Sequence, residues 1–393
     1  LQDMAQMKVV ENVRPTLEEE NLGPAREAIQ DFFLTQVMSH SPGYDKLLNW
    51  TPIPVMPTPA AVGDMIQTHA DLTGKQILCA DIGGATTDVF SVFKDKEGNA
   101  VFNRTVSANF GMSYSVANVM IEAGAAQIGR WLPFELKENE VRDRLRNKMI
   151  RPTSSPQTLD DLWLEQAVCR EALCLSLEHH RALAVGLSGK QQQRGIADIF
   201  SQESNRYELV DMMRLELVIG SGGVLSHAPD RLSSALMMLD GFRLEGVTEI
   251  AVDSIFMMPH LGVFASVHPE AAGEIFLHDC LVPICHSVVP VWKKKKKKAG
   301  VLARVEFDGK SVGSVSYGEV VHVDWEAGKK GDLQVQPVGS SIDVGAGPGK
   351  VLRMEIQTAE QGFLFDGRNR PIEFGESIPS QIAQQRKIWD NLR

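Results

Sequence analysis

The nonapeptide Asp81-Ile82-Gly83-Gly84-Ala85-Thr86-Thr87-Asp88-Val89 holds the residue types best suited to chemistry in this 393-residue chain. Two adjacent glycines, Gly83 and Gly84, allow backbone angles and close approach that a side chain would forbid. Consecutive N–H groups at such a turn can form a nest for an anion, phosphate above all. Thr86 and Thr87 add hydroxyl donors. Asp81 stands where a carboxylate could hold a Mg²⁺-bound water. A glycine-rich β turn with an Asp cap would look similar over a shorter stretch. The full nonapeptide, set between two apolar runs, favours the phosphate site.

A second glycine segment is Val218-Ile219-Gly220-Ser221-Gly222-Gly223-Val224, continued by Leu225-Ser226-His227-Ala228-Pro229. An apolar run again breaks at glycines and a helix is expected after it. Gly220, Gly222 and Gly223 would let backbone lie flat against a ring or a phosphate. The spacing is neither G-x-G-x-x-G nor a Walker loop, so the segment gains weight only beside the first.

Other groupings point to ordinary structure. The five cysteines are Cys79, Cys169, Cys174, Cys280 and Cys285, with no CxxC pair. They read as reduced thiols of a cytoplasmic protein. Cys280 and Cys285, flanked by His278 and His286, match no standard zinc spacing and read as half-buried thiols of a loop. His179-His180 reads as a solvated pair on a polar helix. His260, His268, His278 and His286 have no carboxylates at ligand spacing. Asp343 to Lys350 alternates glycines before a lysine but lacks the Ser/Thr of a Walker loop, so a tight turn is expected. The six lysines Lys293–Lys298 read as a solvated linker.

The elements that must position the glycine segments follow from the apolar pattern. Lys75–Ile82, Thr86–Phe93 and Ala100–Ser107 predict three strands joined by tight turns, with a helix near 113–125. Leu159–Val185 has helical spacing. A strand at Leu215–Ile219, a helix from Asp230 and a strand at Thr248–Val252 predict a parallel pair with a helical crossover. Pro52, Pro54, Pro57 and Pro59 require an extended path over 51–59, after a helix near 24–34. Residues beyond 299 predict a separate β-rich domain closed by a helix at 379–392.

Forty basic against fifty acidic residues give a formal charge of −10, a poor balance for binding nucleic acid or anionic lipid. No apolar run reaches the roughly 18 residues of a membrane helix. The N-terminus shows no signal-peptide pattern and no initiating Met.

Together, the two glycine segments resemble the nucleotide site of the actin–hexokinase–heat-shock-protein ATPase superfamily. Asp81–Val89 is similar to its second phosphate motif, and Gly220–Gly223 with Pro229 to its adenosine motif. Within that superfamily the chain resembles the glutamate mutase accessory proteins called MutL, unrelated to the mismatch-repair protein of that name. The likeness extends through Val252–Val263, His268–Ala272, Asp343–Lys350 and Asp366–Pro371. It implies an α/β fold: the second half of an actin-like, ribonuclease H-like ATPase with a helical insertion and a C-terminal β-rich domain. The expected divisions are 1–74 as the remainder of the first half, 75–290 as the second half with an insertion at about 126–205, and 299–393 as the β-rich domain. The implied role is an ATP-binding, chaperone-like protein that reactivates an adenosylcobalamin-dependent mutase, glutamate mutase or a related aminomutase. Its cofactors would be ATP and Mg²⁺, and its partner the mutase. The superfamily's first Asp-x-Gly phosphate loop is not found before Asp81, so the expected activity is at most that of an ATPase in a longer chain. Rival readings are an ATP-dependent amidohydrolase of the hydantoinase/oxoprolinase type and a small-molecule kinase of the same superfamily.

Overall fold

The computed structural model describes residues 7–16, 21, 23–50, 52, 53, 55–187, 206–293 and 300–392. The strands run β1 (Ile77–Ile82), β2 (Thr87–Lys94), β3 (Ala100–Ser107), β4 (Val185–Leu187), β5 (Arg206–Glu208), β6 (Leu217–Ser221), β7 (Gly246–Asp253) and β8 (Leu281–Val289). They continue with β9 (Val291–Trp292), β10 (Val301–Phe307), β11 (Lys310–Ser316), β12 (Val320–Val323), β13 (Lys330–Pro337), β14 (Ile342–Asp343), β15 (Leu352–Gln357) and β16 (Phe363–Asp366). The helices are α1 (Gly23–Phe32), α2 (Tyr44–Leu48), α3 (Thr58–Thr73), α4 (Val116–Ala123), α5 (Ala125–Gly129) and α6 (Glu138–Ile150). After them come α7 (Leu159–Leu183), α8 (Gly223–Ser226), α9 (Arg231–Gly241), α10 (Met258–Ala265), α11 (Pro269–Ile275) and α12 (Ile378–Leu392).

Contacts divide the chain into two compact units. Residues 1–57 and 185–209 form one, which carries α1, α2 and the antiparallel pair β4–β5. Most of the linker expected at 293–298 and the stretch 188–205 of the expected insertion lie outside the described residues.

Residues 58–184 and 210–393 form the other unit, an α/β fold around a mixed eight-stranded sheet. Its order is β12-β16-β8-β7-β6-β1-β2-β3. The run Ile77–Ala80 is apolar on both faces because β1 is central and covered on both sides, as expected of a strand with a parallel neighbour. It pairs antiparallel with β2 and parallel with β6, and β6 pairs parallel with β7 across the α8–α9 crossover. One sheet face packs Leu78, Ala80, Val218 and Ile250 against α4, α7, α9 and α12. The other packs Cys79, Phe90, Ile219 and Ala251 against α3, α10 and α11.

Three expectations change. The stretch after 299 is β-rich but is not folded apart: β12 and β16 complete one side of the central sheet, and α12 joins its core. Only β10, β11, β13 and β15 form a second sheet. Cys285 lies within β8 and is buried, as are the other four cysteines, all of them free. Pro283 and the polar pair His286-Ser287 concealed that strand from the pattern. The extended path expected over 51–59 does not reach its end, since α3 begins at Thr58 and takes Pro59 into its first turn, while residues 51 and 54 lie outside the described residues.

Candidate functional site

The β1–β2 connection and the β6–α8 connection open at the same end of the sheet. Both follow strands that pair side by side, with Asp81 opposite Ser221. Gly83 N–H closes the first turn on the Thr86 carbonyl at 2.9 Å. The carbonyls of Gly83 and Gly84 accept from Met112 and Ser113 N–H, each at 2.9 Å. Gly111 N–H donates to Ser115 Oγ at 2.7 Å, and that hydroxyl donates to the Ala85 carbonyl. The chain at 110–115 thus braces the turn from behind. A Cβ on Gly111 would lie 2.4 Å from the Gly84 oxygen, so no larger residue fits there. The N–H groups of Gly84 and Ala85 donate to no acceptor among the described residues.

A cleft of about 820 Å³ lies between these turns and the helical layer. It is lined by Asp81, Gly83 and Gly84 on one side and by Gly222, Gly223 and Pro229 from the second glycine segment. The facing wall is the α6–α7 connection, from Pro152 to Thr158, with Lys148, Glu165 and Gln166. His227 and Phe256 meet edge to face at 5.3 Å and also line it.

Three of the expected site residues serve elsewhere. Thr87 is fully buried and its hydroxyl donates to the Phe110 carbonyl, tying β2 to the 110–115 brace. Thr86 contributes its backbone carbonyl to the turn and does not line the cleft. Gly220 is a packing position, since a Cβ there would meet Met238 Sδ at 2.7 Å. Asp81, Gly83, Gly84, Gly222 and Gly223 line one cleft. The brace at 110–115, the α6–α7 connection and Ser221 were missed. The Phe110-Gly111-Met112-Ser113 stretch carried the one available signal, a glycine directly before a predicted helix.

The floor of the site is acidic. Burial raises Asp81 above the usual carboxyl range, and the nearby Asp253 raises it further, while a hydrogen bond from Ser221 opposes this. Burial, aided by Asp81, pushes Asp88 up to about 7 against the pull of Arg104. Asp88 lies opposite Asp81 in the β1–β2 register, and its Oδ1 is buried with no hydrogen-bond partner. Asp253 is committed, accepting from Ile255 N–H and Met258 N–H at 3.2 Å each.

The remaining motifs behave structurally. Asp343 Oδ1 accepts from Gly345 N–H at 2.9 Å and Gly347 N–H at 3.0 Å, so the turn's own carboxylate fills the anion position. His180 is not solvated: it is buried, 3.0 Å from Thr105 Oγ1 and 2.7 Å from Ser91 Oγ, with burial lowering it to about 4. No group of three or more His, Cys, Asp or Glu suited to a metal occurs among the described residues. None of the described helices is long and apolar enough to cross a membrane.

The comparison with known families settles kinship. A family model described as MutL protein matches residues 1–280. The chain belongs to the MutL protein family. A curated relative, Protein MutL of Clostridium tetanomorphum, is 26% identical over 290 residues, covering 68% of this chain and 60% of the relative. The MutL chain described here thus spans about 60% of the length of that relative.

Proposed function

We infer that this MutL chain carries a nucleotide-phosphate site within an accessory protein for an adenosylcobalamin-dependent mutase, glutamate mutase or a related aminomutase. The observation that carries the reading is the convergence of Gly83–Gly84 and Gly222–Gly223 on one cleft, with the Gly84 N–H donating to no acceptor among the described residues. Backbone donors of this kind match phosphate oxygens without a bulky side chain between them. Gly84, Gly222 and Gly223 would hold the phosphates. Asp81 would hold Mg²⁺ through water, and the metal would neutralise phosphate charge when bound. The donor set, one carboxylate beside free N–H groups, fits that pair of ligands.

The fold supports the reading at a coarser level. A β1–β2–β3 meander followed by parallel β1–β6–β7 pairing is compatible with one half of an actin-like ATPase. Five free, buried thiols suit a reducing, cytoplasmic setting.

A chaperone-like role would work by differential affinity: nucleotide shifts the accessory protein between two states that bind the mutase differently. The test is titration of the whole accessory protein with apo-mutase and with inactivated holo-mutase, each with and without ATP and Mg²⁺. Nucleotide should change mutase affinity by about 5–150-fold, and mutase should change nucleotide affinity equally. Absence of binding to both forms, or binding indifferent to nucleotide, would refute the reactivating role.

A further inference from the structure

Lys148, in the last turn of α6, is the only lysine or arginine among the described residues lining the cleft. Its Nζ lies 2.8 Å from Glu165 Oε1 on α7 and also donates to the carbonyl of Ser154. Lysine and glutamate are both largely covered, 15% and 22% exposed at the side chain. The connection between α6 and α7 is otherwise held by local bonds. Ser154 N–H and Oγ bond to the Arg151 carbonyl, and Gln157 Nε2 bonds to the Ser155 carbonyl. The Lys148 ammonium therefore ties Ser154 of this wall to α6 and α7, while Thr158 is held to α7 by Asp161, and Lys148 also lines the cleft onto which the glycine turns open.

We propose that Lys148 is the cation this cleft supplies to the phosphate chain of a nucleoside triphosphate. In binding it, Lys148 exchanges Glu165 and the Ser154 carbonyl for phosphate oxygens and so releases or draws in the 151–158 wall. The proposal rests on the nucleotide reading of the cleft. Its physical basis is charge. Backbone N–H groups supply only partial positive charge, and Asp81 at the floor is itself acidic. Among the described residues lining the cleft, Lys148 is the one lysine or arginine that could add its positive charge to that of Mg²⁺ against a polyanion. The swap is feasible because an ammonium is a compact charge on a flexible stem, with three donors to redistribute. Glu165 competes with the phosphate for the same ammonium, so it sets how readily the exchange occurs.

The experiment measures binding of ATP and of adenosine to the full chain by calorimetry, for the wild type, Lys148→Gln and Glu165→Gln. Thermal melting confirms that each variant is folded. Loss of a charge-assisted contact should weaken ATP binding to Lys148→Gln by about tenfold or more. Adenosine, which has no phosphate, should bind that variant as it binds the wild type. Glu165→Gln, which removes the competitor, should bind ATP at least as tightly as the wild type. Hydrogen exchange at 151–158 should respond to ATP in the wild type and not in Lys148→Gln. Wild-type ATP binding with no loss in Lys148→Gln, or equal loss of ATP and adenosine in both variants, overturns the Lys148 role alone. Failure of the wild type to bind either ligand overturns the nucleotide reading and this proposal with it.

Discussion

Ile82 and Gly222 meet backbone to backbone: a Cβ built on Gly222 would lie 2.1 Å from the Ile82 carbonyl oxygen. Gly222 also holds φ at +101°, a conformation that side chains rarely adopt. These two constraints bring the second glycine turn against the end of β1, so that both turns line one cleft.

Gly222→Ala should therefore be costly. It forces the β6–α8 connection away from Ile82 and adds backbone strain, about 1–3 kcal/mol for the strain alone. Urea unfolding should show the loss, and nucleotide binding should fall beyond what stability explains. Gly223→Ala is the control, because nothing lies within 4 Å of a Cβ at that position. A Gly222→Ala protein as stable as Gly223→Ala would contradict the packing described.

Asp88 predicts a pH dependence of stability. Its folded value, about 7, exceeds the ordinary carboxyl value of 3.8. The native state thus binds this proton more tightly than the unfolded state. Its contribution is fully present below pH 3.8 and is lost as pH rises through about 7. The slope approaches about 1.4 kcal/mol per pH unit between those limits. Asp88→Asn should remove this slope and be more stable than wild type near neutral pH. Parallel stability–pH curves for the two proteins would show that Asp88 does not titrate in this way.

Thr87 separates a structural hydroxyl from a ligand-binding one. Thr87→Val leaves the buried Phe110 carbonyl without its donor, which costs about 1–3 kcal/mol. Thr87→Ser keeps the hydroxyl and should cost less. Differential scanning calorimetry gives the stability order. Nucleotide affinity of folded Thr87→Val should stay within about twofold of wild type, well under the tenfold that a lost 1.4 kcal/mol contact gives. A selective tenfold loss would return Thr87 to the ligand site.

A buried ion network binds the C-terminal region to the core. Arg368 Nη2 lies 2.6 Å from Asp240 Oδ1 and 2.9 Å from Asp366 Oδ2, while Arg170 Nε holds Asp240 Oδ2 at 2.8 Å. Burial pushes the Asp366 carboxyl up, but Arg368 and Arg370 more than reverse this and hold it ionised. Arg368→Ala leaves two carboxylates short of a partner and should cost about 3–5 kcal/mol. Denaturant unfolding of Arg368→Ala should show this, with an Arg353→Ala surface control near neutral. A small change at Arg368 would mean that water or Arg170 and Arg370 compensate.

The legible parts of the sequence were those in which local pattern and tertiary role agree. Ile77–Ile82 reads as a strand and Gly83-Gly84 as its turn because the apolar run and the glycine pair act within a few residues. Leu281–Val289 was not legible, since Pro283, His286 and Ser287 break a pattern that pairing with β7 and β16 restores. His180 looked solvated because its partners, Ser91 and Thr105, lie 89 and 75 residues away in sequence. The glycine turns of the candidate site were visible. The brace at 110–115 and the Lys148–Glu165 wall were not, because distant segments create them.

The convergence of the glycine turns is tested by backbone amide NMR on perdeuterated, ¹⁵N-labelled protein titrated with ADP and Mg²⁺. A phosphate site predicts saturable shifts at Gly84, Gly222 and Gly223 together, with adenosine failing to move Gly84. No saturable shift at millimolar nucleotide, or shifts confined to residues outside the cleft, would contradict it.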